Sequence, residues 1–125
     1  MSFQGEISES IKVFIRERPT IADESNPSTT DIEASGVKNV SPDKKSCVYY
    51  SSANKIQQNF SVDRYFDPLS EQRELFESIA LPIVKSALEG YSGTILAYGP
   101  TASGKTHTMR GLSNDSRGIM PRYRL

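Results

Sequence analysis

The 125-residue sequence has no tryptophan, one cysteine and one histidine, its formal charges cancel, and it strings together no long run of apolar residues. Each shortage removes a class of protein. A single thiol, Cys47, cannot close an intrachain disulfide, and no partner at metal-ligand spacing accompanies it or His107. A reduced cytosolic thiol and a plain helical histidine are therefore expected. No run approaches the ~18 apolar residues of a membrane span, and the opening MSFQGEISES lacks the basic-then-apolar order of a secretory leader, so neither span nor leader is expected. Asn-x-Ser triplets at Asn39, Asn59 and Asn114 are then read as coincidence. Fifteen basic residues against fifteen acidic ones create no overall field for nucleic acid, an acidic filament or an anionic membrane. The balance is global and not local: residues 101–125 carry Lys105, Arg110, Arg117, Arg122 and Arg124 against Asp115 alone, a basic stretch read as a solvated end.

What remains is 36% hydrophobic content, enough for one domain with a small core. After a polar extension over residues 1–10, SIKVFIRERP alternates Ile11, Val13 and Ile15 with Lys12, Phe14 and Arg16, predicting a strand over 11–18 that Pro19 ends. Residues 20–46 are dense in Ser, Thr, Asp, Asn and Pro and predict a long polar loop or insertion. CVYYSS and KIQQNFSVDRYF supply β-prone runs, read as antiparallel or edge strands. Asp67, Pro68 and Ser70 then open a helix, with Glu71 and Glu74 near its positive end. Its stripe of Leu75, Phe76, Ile79, Ala80, Ile83, Val84, Ala87 and Leu88 runs to a stop at Gly90. Because the stripe keeps register across Pro82, one kinked helix over about 70–89 is expected. TILAY, residues 94–98, predicts a short buried strand leading into Gly99.

Strand, glycine-rich turn and helix are the setting in which G-x-x-x-x-G-K-[ST] carries meaning. Here the match is Gly99, Pro100, Thr101, Ala102, Ser103, Gly104, Lys105 and Thr106. Glycines let the backbone curl round a phosphate, successive N–H groups face its oxygens, and Lys105 adds a mobile positive charge. Thr106 can offer its hydroxyl to Mg²⁺. The phosphate-facing amides are expected from Ser103 to Thr106, so the missing N–H of Pro100 at the mouth of the loop is expected to be tolerated.

GYSGTILAYGPTASGKTHTM resembles the P-loop segment of kinesin motor domains. VFIRERP resembles that family's first strand with its R-x-R-P motif, FSVDRYFDP the strand before its first major helix, and GIMPR the element after the P-loop helix, all in family order. The resemblance spans Ile11 to Arg122 except the polar segment 20–46. It implies the α/β fold of a P-loop NTPase, the N-terminal part of a motor domain through the P-loop, with a central mostly parallel sheet flanked by helices. It also implies ATP and Mg²⁺ as ligands, microtubules (tubulin) as partner, and a place in the cytoplasm on the cytoskeleton.

In that family Arg16, Arg18, Pro19 and Tyr98 would line the adenine side, chemistry that stacking of guanidinium, pyrrolidine and phenol groups supports. Pro100 stands where glutamine is usual, and Glu17 stands between the two arginines where an apolar residue is common, placed to pair with one of them. The family's N-x-x-S-S-R and D-x-x-G switch motifs come later in its order. Asp115, in GLSNDSRG, follows no apolar strand and is read as a loop residue. These residues alone are thus expected not to turn over ATP, and no dimerisation region is expected among them. The alternatives are a truncated, noncatalytic isoform or fragment that binds nucleotide or a partner only and, more weakly, a small-molecule kinase or GTPase, for which no lid or guanine-reading motif is seen.

Overall fold

A computed structural model describes residues 11–19, 36–114 and 116–123. The chain divides into two compact units, one drawing on residues up to 17 and the segment ending at Phe66, the other on residues 18–20 and everything from Asp67 onward.

The first unit is built from strands. β1 (Phe14–Arg16) pairs in parallel with β5 (Arg64–Phe66), Ile15 opposite Tyr65. Asp63 fixes this register at its start: its carboxylate accepts the Val13 N–H at 2.7 Å and its own N–H donates to the Val13 carbonyl at 2.8 Å. The strand expected over 11–18 thus condenses to three ladder residues, flanked by the Val13–Asp63 bonds on one side and by the Glu17 N–H, which donates to the Phe66 carbonyl at 2.9 Å, on the other. β2 (Gly36–Val40), β3 (Ser46–Ser51) and β4 (Ile56–Ser61) form an antiparallel sheet in that order. Of the polar stretch 20–46, residues 20–35 lie outside the described residues, and the remainder supplies β2, which the composition did not announce. KIQQNFSVDRYF divides between β4 and β5 rather than forming one strand. The core of this unit is Cys47, Tyr65 and Phe66, with Phe14 tilted against Phe66 at 6.3 Å between ring centroids. Burial and the nearby Glu17 carboxylate push the Cys47 thiol above its ordinary pKa, so it packs as a small apolar group.

The second unit begins with Asp67, whose carboxylate accepts the Leu69 N–H at 3.0 Å and the Ser70 hydroxyl at 3.2 Å, a local turn that launches the helix. Three helical pieces follow without a break: α1 (Gln72–Leu75), a π-helical turn (Phe76–Ala80) and α2 (Leu81–Leu88). One helical run is therefore as expected, and what precedes Pro82 is a π-helical turn rather than a regular α-helical one. The Leu81 N–H reaches back five residues to the Phe76 carbonyl, and the widened turn places Pro82 in the first turn of α2, where its missing N–H is tolerated. Gly90, at φ +96°, ends the helix as expected: its N–H donates to Ala87 and that of Tyr91 to Ser86. Leu75 and Ala80 are buried, whereas the stripe fades toward Leu88, 75% exposed, where no described residue covers it.

The strand expected over 94–98 does not form. The chain there is irregular, its alternate residues Thr94, Leu96 and Tyr98 are exposed, and Leu96 is 84% exposed rather than buried. A ladder needs a second strand, and among the described residues none pairs with this one. α3 (Lys105–Met109) and a closing 3-10 turn (Met120–Tyr123) complete the unit.

Candidate functional site

Residues 99–106 lead into α3, and the two ends of that helix differ. At its C-terminal end the backbone carbonyls, which a helix leaves without partners, are taken up. Gln72 Nε2 donates to the His107 carbonyl at 2.6 Å, the Ile119 N–H to Thr108 at 3.0 Å and the Gly118 N–H to Arg110 at 3.1 Å. Gly111, at φ +82°, turns the chain back, and Gly118 lies against α3 so closely that a Cβ on it would stand 2.6 Å from backbone atoms of Thr108 and Met109. Ile119 is buried beside this return.

The N-terminal end is open. Gly104 caps it at φ +101°, and a Cβ added there would meet nothing within 4 Å. Among the described residues, none accepts a hydrogen bond from the N–H groups of Gly104, Lys105 or Thr106. Three amides and the Lys105 ammonium, donors suited to phosphate oxygens, therefore share one end of a short helix with the exposed Thr106 hydroxyl, whose oxygen suits a metal ion. Ser103 departs from expectation: its N–H donates to the Pro100 carbonyl at 3.2 Å and so belongs to the turn.

Cations hold the outer side of the loop. Lys105 Nζ donates to the carbonyls of Gly99 at 2.7 Å and Pro100 at 2.6 Å, and the Arg18 guanidinium donates to the carbonyl of Ala102. Pro100 thus serves through its carbonyl, which accepts from both Ser103 and Lys105, and its missing N–H leaves no gap in this arrangement. Ala102 itself adopts φ +63°, a left-handed conformation uncommon outside glycine. Thr101 lies between these anchors and is exposed.

Of the residues expected on the base side, Arg18, Pro19 and Tyr98 fall in the second unit and Arg16 in β1 of the first. Arg18 is joined to the loop through Ala102, Pro19 is exposed, and the Tyr98 ring is 97% exposed. Arg16 is half-buried, and that burial lowers its guanidinium pKa. Glu17 accepts the Tyr65 hydroxyl, a partner that the expectation of an arginine pair had missed. Sequence reading also missed Gln72, Gly118 and Ile119. The glycine in GIMPR was the available signal, since a glycine closing on a helix can mark close backbone approach. Asp115 lies outside the described residues.

The family model described as kinesin motor domain matches residues 16–124. Kinesin-like protein KIFC1 of Mus musculus is 38% identical over 94% of this chain and 19% of its own length. Protein claret segregational of Drosophila melanogaster is 41% identical over 90% of this chain and 15% of its own. A solved structure of a fast kinesin superposes with a TM-score of 0.72 at 36% identity, covering 90% of this chain and 30% of that one. The chain thus spans less than a third of each protein it matches here.

Proposed function

The chain belongs to the kinesin motor domain family, and from that premise we propose that it is the nucleotide-cradling part of an ATP-driven microtubule motor. The observation that carries the reading is the inequality of α3: carbonyls at one end are occupied, while amides at the other face outward beside Lys105. In this reading the N–H groups of Gly104, Lys105 and Thr106 receive phosphate oxygens. Lys105 turns from the Gly99 and Pro100 carbonyls toward the same anion, and Thr106 presents its hydroxyl to the metal ion. Mg²⁺, when bound, supplies charge neutralisation on the phosphates. Tyr98, Pro19 and Arg18 make up the base side, with the exposed Tyr98 ring free to stack. The partner is the microtubule and the setting the cytoplasmic cytoskeleton.

A second reading is nucleotide or partner binding without turnover. Phosphoryl transfer needs a positioned water and a sensor of the terminal phosphate as well as a cradle. Steady-state phosphate release from the 125-residue chain, with and without microtubules, separates the readings. We expect retained Mg-ATP and no stimulated turnover from these residues alone. Stimulation that vanishes in Lys105→Ala would mean that they carry the whole reaction, and failure to retain any nucleotide would remove the cradle from the proposal.

A further inference from the structure

The Arg18 guanidinium is joined to the carbonyl of Ala102, the one position within residues 99–106 where a residue other than glycine takes a left-handed conformation. We propose that Arg18 is a positioning residue for the phosphate loop, holding the Ala102–Ser103 peptide in place whether or not a base is bound. The inference rests on reading residues 99–106 as a phosphate cradle.

The geometry of one peptide group carries it. A carbonyl and the N–H that follows it lie in one plane and point opposite ways. Arg18 grips the carbonyl side of the Ala102–Ser103 plane, and the Pro100 carbonyl accepts the N–H side at 3.2 Å. Held from both sides, the plane fixes the backbone leading into Gly104, whose N–H begins the open set. Alanine does not keep a positive φ unaided, so something must hold it there. Lys105 cannot be that anchor during binding. Its ammonium sits on the Gly99 and Pro100 carbonyls in this structure and must leave them to meet an anion. Arg18 is not required to leave its carbonyl to meet the phosphate, and its planar fork suits a fixed carbonyl better than a mobile ammonium does.

The test uses the 125-residue chain and its Arg18→Ala, Ala102→Gly and doubly substituted forms. In the free chain, NMR should show at Ala102 the strong intraresidue amide-to-α-proton contact of a positive φ, and Arg18→Ala should lose it. Persistence of that signature without Arg18 overturns the proposal. Calorimetry with Mg-ATP and with Mg-tripolyphosphate, which has no base, should show Arg18→Ala weakening both by the same factor, about tenfold. Loss confined to Mg-ATP would make Arg18 a base-stacking residue and nothing more. Adding Ala102→Gly to Arg18→Ala should restore about fivefold, because glycine adopts the turn without help; no recovery counts against the pin. If the unsubstituted chain binds neither ligand, the cradle reading fails, and the NMR comparison still decides the role of Arg18.

Discussion

The two ends of the five-residue helix α3 are chemically opposite. One is closed by Gln72, Gly118 and Ile119, which take its carbonyls, and the other is left open beside Gly104 and Lys105. A helix this short has little intrinsic stability. Its closed end supplies the stability, so that the open end can keep amides unspent for a ligand. The difference also assigns roles: residues at the closed end act on folding, those at the open end on binding.

Substitutions at the closed end should break this comparison most severely. In Gly118→Ala the new Cβ would strike the α3 backbone, which cannot move aside as a side chain tip would, and we expect a loss of about 3 kcal/mol by urea unfolding. Gln72→Ala should cost about 1 kcal/mol, because it removes the 2.6 Å side-chain donor of the His107 carbonyl and leaves it the Gly111 N–H at 2.9 Å. A chain that unfolds at the same denaturant concentration after either change would show that the closed end does not support α3.

At the open end the same kind of change should do less to stability. Gly104→Ala meets no neighbour, so its cost is the positive φ alone, about 1 kcal/mol in the same measurement. Any larger loss would mean that the open end is packed after all. Smallest of all should be Leu96→Thr on the preceding segment, within about 0.5 kcal/mol, since that side chain already faces solvent. The same substitution should reduce binding of an apolar dye, whose attachment reports exposed apolar surface.

How far the sequence announced these features depended on whether each was made locally. The loop was legible because Gly99, Gly104 and Lys105 act within eight residues of one another, and the helix because its stripe and Gly90 are local signals. β2 was not, for a physical reason. Val37 pairs with Tyr49 and Val40 with Cys47, and the register shifts between Val37 and Asn39. That irregularity brings two valines three apart opposite alternate residues of β3, so no period-2 pattern was there to find. Residues 94–98 show the converse. Their composition is that of a strand, but a strand is a relation between two segments, and no described segment supplies the other half. Gln72 stayed hidden because its partners, at His107 and Ser116, are 35 and 44 residues away.

The central claim is that the open end of α3, with Lys105, is a phosphate site. Its most direct test is calorimetric titration of Mg-ATP into the unsubstituted chain and into Lys105→Ala. The account predicts saturable binding by the first and at least about a tenfold loss in the second, as expected for removing a charged hydrogen-bond donor from an anion. Equal affinity in the two proteins would contradict it, and would show that the lysine serves only to tie the Gly99 and Pro100 carbonyls together.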